Sequence, residues 1–379
     1  MKQITRLRVI DVLRGIAFLA VVLQHVIAGI FYVPNIAPSS VIGGTTILAV
    51  VRFAVPAFVF ISGLLLFFNY DKEIGYKQFI KKRFIQIIIP YVVWSAFYVV
   101  WLKFVFGFEA RGVWNGTLSA LTEIGQAIIT GTGNYHLWFM SMLIPFYFVF
   151  PFFKLWFGRN RPVIWNLFVV VLFMVGNFFA LVLLSKGALV QMLGNFYGIA
   201  HYLDRNPLLW TFYFVLGALA GVYYPKFMEI NRKTALLSLL AWGGFIYFMY
   251  VDISEINSTL TPNNYSLSAN VSAPLSPINY WFLILSILVV INFSSVIESK
   301  TEKLSKLLVV IGKYSFGGYL IHAFILHLIL DVLVKYLNIV NIYLLMVSAF
   351  FVCVLVSILL TSLIGRVKLS FGEIVIGKV

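Results

Sequence analysis

Ten apolar runs divide this 379-residue chain, at roughly 9–33, 47–69, 84–106, 137–157, 163–185, 207–225, 234–252, 278–296, 313–335 and 340–365. Each is about 18–25 residues long, the length an α-helix needs to cross the hydrocarbon layer of a bilayer. A segment in that medium must satisfy its own backbone hydrogen bonds, so helices are the structure such runs dictate. The sequence therefore predicts an all-α polytopic membrane helix bundle of about ten transmembrane helices. Composition agrees: 61% of residues are hydrophobic and only 11% charged, where soluble domains carry about 25%. The first run is too long for a signal-peptide core and has no small-x-small cleavage site after it, so it is expected to stay. A single transmembrane domain over residues 1–379 is expected, without internal repeats or an appended soluble domain.

The net charge of +15 follows topology and does not point to nucleic acid. Twenty-one of the 28 Lys and Arg residues fall in alternate connections and in the two tails, among them Lys77, Lys81, Lys82, Arg83, Arg159, Arg161, Arg232, Lys233, Lys303 and Lys306. Five lie in the other connections, and Arg14 and Arg52 lie within runs. This bias predicts a multi-pass protein of the cell membrane with both termini cytoplasmic, and an even number of spans. Three outward connections are longer than the rest: 107–136, 186–206 (with Asn195, Tyr197, His201, Asp204 and Arg205) and 253–277. Polar loops there suit either an extracytoplasmic acceptor or plain solvation. The one cysteine, Cys353, excludes an intrachain disulfide and reads as packing.

Chemistry-bearing residues concentrate in the first run, which holds Asp11, Arg14, Gln24 and His25. Arg14 and His25 are separated by about three helical turns plus 20°, so they share one face, roughly 16 Å apart along the axis. An arginine at mid-helix costs about 2.5–3.5 kcal/mol on insertion scales. Ionisable groups inside a membrane are therefore read first as functional, although Arg14 alone can also snorkel to the headgroups. A neutral His25 can take a proton from a hydroxyl if its tautomer is held. Asp11 can pair with Arg14 at i,i+3, whereas Gln24 faces about 100° away from His25.

Other candidates lie further along. Arg52, at about the depth of His25, suits an oxyanion or a carboxylate, or snorkels outward. Pro56 and Ser62-Gly63 thin the second span and permit close approach of another backbone. Lys82 and Arg83 suit a phosphorylated ligand such as a nucleotide, and equally anionic lipid. In Tyr135-His136-Leu-Trp138, the aromatics fit an interfacial belt and His136 can share an outer cavity with His25. His322 falls near mid-membrane with Ser315 seven residues earlier on the same face, and His327 and Asp331 can pair at i,i+4. No G-x-S-x-G elbow, Walker loop or zinc-ligand spacing is present, so neither a covalent nucleophile nor a metal is indicated.

Taken in order, these motifs resemble the signature of the membrane acyltransferase type 3 family. They are Ile-Asp-Val-Leu-Arg14-Gly-Ile followed by His25, Val-Pro-Ala-Phe-Val-Phe-Ile-Ser-Gly, Lys-Lys-Arg-Phe-Ile-Gln-Ile-Ile-Ile-Pro-Tyr, His136-Leu-Trp-Phe with Tyr147 and Pro151, and Gly-Lys-Tyr-Ser-Phe-Gly-Gly-Tyr-Leu-Ile-His322. The resemblance implies ten helices and transfer of an acyl group, commonly acetyl, from a cytoplasmic acyl-CoA to a hydroxyl of an envelope glycan or lipid-linked sugar. Acyl-CoA is then a co-substrate, and no bound cofactor is expected. The resemblance carries catalytic roles onto Arg14 and His25. Many members have a Glu soon after the Trp of the fourth-span motif; here Trp138 is followed by Phe-Met-Ser-Met, and His136 or His322 stands in as partner of His25. Arg52, Lys82, Arg83, Trp138 and Ser315 are expected to bind substrate, with Arg52 or His136 stabilising the oxyanion. An exporter of a polysaccharide or lipid intermediate is the alternative, though no internal two-fold repeat or pair of broken helices is evident in the sequence.

Overall fold

The computed structural model describes residues 7–30, 37–69, 75–106, 114, 116–193, 202–259, 272–337, 341–367 and 369–377. Asn195, Tyr197 and His201 lie outside the described residues, which contain helices and no strand. Nine of these helices are long and apolar enough to cross a membrane, and ten if one bent pair forms a single span. The all-α bundle of about ten spans is therefore the fold.

Helix α1 (Arg8–Ile30) carries the first run. The second span covers Ser39–Phe68 and is interrupted: α2 (Pro38–Val51) and α3 (Ala54–Phe68) meet at Arg52 and Phe53. Pro56 accounts for the break, because it has no N–H for the Arg52 carbonyl and its ring crowds that oxygen. Gln24 Nε2 donates to the Val51 carbonyl at the same place, 2.5 Å away. The third span begins earlier than its apolar run. Helix α4 (Tyr76–Arg83) passes into α5 (Ile89–Phe106) through a π-helical turn, Phe84–Ile88, in which Ile89 N–H bonds the Phe84 carbonyl. Pro90 cannot donate to the Gln86 carbonyl, and the widened turn accommodates its ring.

Helix α6 (Thr117–Thr130) occupies a connection that the sequence reading treats as loop. It is tied to α5 by Lys103, 1% exposed and 3.0 Å from Glu123, whose carboxylate also accepts from Trp114 Nε1. Lys103 is thus a buried structural charge and not a loop charge. After α6 come α7 (Trp138–Trp156), α8 (Val163–Ser185) and the short α9 (Ala188–Leu193). The run expected at 207–225 bends most sharply: the segment ending in α10 (Thr211–Val222) and α11 (Tyr224–Lys233) meet at 106°. Pro225, at the second position of α11, cannot continue the hydrogen bonding of α10. Then follow α12 (Ala235–Thr259), α13 (Pro277–Lys300), α14 (Glu302–Asp331), α15 (Ile342–Ile364) and α16 (Leu369–Ile376).

Helix α1 is central, packing on α2, α3, α13, α14 and α15. The two closest crossings are α1 with α14 and α3 with α10, and both depend on glycine. A Cβ on Gly312 would collide with the Asp11 carbonyl, and one on Gly15 with that of Leu308. At the second crossing, Gly63 faces the Phe214 carbonyl and Gly217 that of Phe60. Lipid tails are as apolar as leucine, so helix association here rests on such close van der Waals fit. The thinning expected at Ser62-Gly63 is therefore present, and α10 is the partner.

Candidate active site

A cavity of about 330 Å³ lies between α1, α3, α7 and α14. Helix α1 presents Arg14, Val21 and His25 to it as one stripe, with Gln24 at the edge. These positions repeat near the helical period, as the spacing of Arg14 and His25 requires. Helix α3 forms the facing wall with Val55, Phe58, Ser62 and Leu65, below Arg52 at its start. Along the helices, Arg14, Arg83, Gln86 and Ser315 stand toward one end, and His25, Arg52, His136 and Trp138 toward the other. The stretch between is apolar, lined by Val21, Phe58, Phe139 and Leu143.

The charged groups of this wall are cationic. Arg14, Arg52 and Arg83 face the cavity, and no Asp or Glu is among its described lining residues. Arg14 Nη1 lies 4.0 Å from Asp11 Oδ1, the i,i+3 pairing expected from the sequence. Arg83 is held differently, by aromatic faces: its guanidinium carbon lies 5.3 Å from the Phe79 ring centre and 5.1 Å from that of Tyr147. Its Nε is buried without a hydrogen-bond partner. Stacking of this kind orients a guanidinium while leaving its donor edge for a planar anion.

At the other end, three imidazoles gather. The ring of His322 is centred 5.2 Å from His25 and 4.9 Å from His136. Tyr135 also packs on His25, its ring 4.7 Å away. His322 is fully buried, and its Nδ1 lies 2.6 Å from the Tyr319 carbonyl. A carbonyl only accepts, so Nδ1 carries the proton and Nε2, which has no partner, is the bare acceptor. The turn around His322 is braced by Tyr98 of α5, whose hydroxyl donates to the Leu320 carbonyl at 2.8 Å and accepts from Phe324 N–H at 3.1 Å. These two backbone groups are ordinarily partners in a helix, so Tyr98 is inserted into the hydrogen-bond ladder of α14. Among the described residues no three His, Cys, Asp or Glu side chains are arranged to hold a metal ion.

His136 reaches this cluster because the chain turns back after α6. Gly131 ends that helix at φ 68°, in the left-handed region, where a Cβ would meet Trp138. Arg205 donates to the Thr130 carbonyl in the last turn of α6 and lies 4.8 Å from the Tyr202 ring, fastening the turn from outside. The Tyr319 hydroxyl donates to the His136 carbonyl, so the backbone is fixed while both ring nitrogens remain without a partner.

The structure thus brings Arg14, His25, Arg52, Arg83, His136, Trp138 and Ser315 to one cavity. His322 and Lys82 are placed otherwise. His322 stands behind His25 and His136 and is not part of the cavity wall, and Lys82 is exposed beside Arg83. Tyr319, Tyr98 and Gln86 have no site role in the sequence, and Tyr135, expected in an interfacial belt, instead packs on His25. Tyr319 precedes His322 by one helical turn, and Gln86 follows Arg83 at i+3; those spacings were the available signals. Nothing local marks Tyr98, which acts through a helix far along the chain.

Residues 7–362 match the acyltransferase-3 family, described as an acyltransferase domain, and the chain belongs to that family of membrane acyltransferases. Two similar proteins, from Staphylococcus aureus strains Mu50 / ATCC 700699 and MRSA252, are each named a probable poly-beta-1,6-N-acetyl-D-glucosamine export protein. Both are 24% identical over 343 residues, covering 86% of this chain and 83% of theirs. No solved structure matches significantly.

Proposed function

We propose that this protein transfers an acyl group, acetyl in the simplest case, from a cytoplasmic acyl-CoA to a hydroxyl of a cell-envelope glycan or lipid-linked sugar. The observation that carries this reading is the single cavity that joins Arg14 to His25. The two are about 16 Å apart along α1, a reach suited to the extended pantetheine arm of CoA. With both termini in the cytoplasm, as the basic residues favour, the Arg14 end faces the donor and the His25 end the acceptor. Arg14 and Arg83 then bind CoA phosphates, Lys82 adds charge at the entrance, and the apolar middle of the cavity accommodates the arm. Ser315 lines the donor path, and Trp138 offers a ring face to the sugar.

In the reaction, His25 takes the proton of the acceptor hydroxyl as its oxygen attacks the thioester carbonyl. The tetrahedral oxyanion is met by N–H of His136, and collapse breaks the C–S bond. The CoA thiolate leaves and takes the proton back from the His25 imidazolium. His322, protonated at Nδ1, offers Nε2 to an N–H of His25. It thereby fills the orienting role for which no carboxylate is present among the described lining residues.

The names of the relatives favour a second reading, export of a poly-N-acetylglucosamine chain. A transporter of repeat design has broken helices in corresponding positions; among the described residues the two interrupted spans differ in form, α10 and α11 meeting at 106° while α2 and α3 continue as one span. Purified protein in detergent, given labelled acetyl-CoA and envelope glycan, separates the two. Label in the glycan, lowered about 10²–10⁴-fold in His25→Ala, is the expected result. Saturable glycan flux into vesicles without CoA consumption would reject the transferase assignment, and undiminished transfer by His25→Ala would reject His25 as its base.

A further inference from the structure

Arg52 has features that its place beside a general base does not require. Its Nε is buried without a hydrogen-bond partner, and among the described residues its guanidinium makes no ion pair. Its backbone is fixed by the Pro56 break and by the Gln24 contact with the neighbouring Val51 carbonyl. That contact places it at the level of Gln24, about 15 Å along the helix axis from Arg14. One CoA pyrophosphate therefore cannot serve both arginines. Around Arg52 the chamber is built of His25, His136, Trp138 and Pro274, and none of these is anionic. A guanidinium half withdrawn from water, and unpaired among the described residues, is costly unless an anion completes it.

We propose that Arg52 is the anion-binding group of the acceptor subsite, and that the acceptor is an acidic sugar bearing a carboxylate or phosphate near the hydroxyl to be acylated. The chamber then reads two features of one ligand. The ring face of Trp138 takes the sugar, and Arg52 holds its anionic substituent in a two-point hydrogen bond, directing the neighbouring hydroxyl at His25. Neutral sugars lose this second contact and leave the guanidinium unpaired. The assignment of the chamber to an acceptor rests on the transfer reading above.

Thermal unfolding of the full-length protein in detergent, titrated with glucose, glucuronic acid, glucose 6-phosphate and, separately, CoA, tests this without requiring turnover. Glucuronic acid or glucose 6-phosphate is expected to stabilise at concentrations roughly 10–100-fold below glucose, the range of a hydrogen bond to a charged group. Which of the two acts identifies the anion as carboxylate or phosphate. Arg52→Gln should bring the acids to the level of glucose while the CoA titration is kept. Arg83→Gln should weaken CoA and keep the acid preference. Arg52→Lys, which retains the charge, should keep part of the preference and serves if Arg52→Gln does not fold. Equal responses to the three sugars, or an acid preference that survives Arg52→Gln, overturns the proposal. Absence of any CoA effect alongside an Arg52-dependent acid effect would sink the transferase reading and leave the anion site standing.

Discussion

The imidazole of His322 stands 5.2 Å from that of His25, ring centre to ring centre, with its own Nδ1 committed to the Tyr319 carbonyl. His322 is therefore fixed beside the residue proposed as the base, with Nε2 as its open acceptor. His322→Phe preserves the buried ring and removes that acceptor. It is expected to lower kcat about 10²-fold, the size of effect that a misaligned group produces, with the KM for acyl-CoA unchanged. The acid limb of its pH–rate profile should also move. An unaltered profile with a proportionate rise in KM would show that His322 only packs.

Arg83 is oriented by Phe79 and Tyr147, two aromatic faces that suit a flat guanidinium. Arg83→Lys keeps the charge and loses both the stacking and the fork of donors. Steady-state kinetics should give a KM for acyl-CoA raised roughly tenfold or more in Arg83→Ala, with incomplete recovery in Arg83→Lys. Equal KM values for Lys and Arg would mean that charge alone matters there.

The crossing of α3 and α10 leaves no room for a side chain at Gly63, which faces the Phe214 carbonyl. Gly63→Leu forces backbone apart and should cost about 1–3 kcal/mol or more of stability, read as a lower unfolding midpoint in detergent. Gly125, on α6, has no neighbour near its missing Cβ. Gly125→Ala should be neutral or stabilising by up to about 1 kcal/mol through helix propensity. Similar losses at the two sites would contradict this packing.

Gln24 donates to the Val51 carbonyl at the α2–α3 break. Gln24→Leu leaves that oxygen without this donor inside the bundle, a cost of about 1–3 kcal/mol. Because Arg52 is the next residue, the same variant should weaken any ligand held by Arg52 while leaving CoA binding intact. Both effects are read from thermal midpoints with and without ligand.

Much of the site is legible in the chain because helical periodicity is local. The interval between Arg14 and His25 places both on one stripe whatever surrounds α1, and the cavity does open along that stripe. Pro56 and Pro90 likewise announce disturbed helices, although the sequence does not say that one yields a break and the other a π-turn. Lys103 shows the limit of counting charges by loop. Its burial against Glu123 depends on how α6 folds back on α5.

The apolar runs by themselves determined a membrane-spanning helical bundle, since a backbone in hydrocarbon has no other way to satisfy its hydrogen bonds. They also determined the shared face of Arg14 and His25, which follows from the pitch of one helix. Only the tertiary structure decided which helices meet. Core and lipid are equally apolar, so the buried α3 and the mostly exposed α8 read alike in sequence. For the same reason, the meeting of the His322 and His25 rings, the insertion of Tyr98 into α14 and the placing of Arg52 at the cavity belong to packing between segments far apart in the chain, where no periodicity operates.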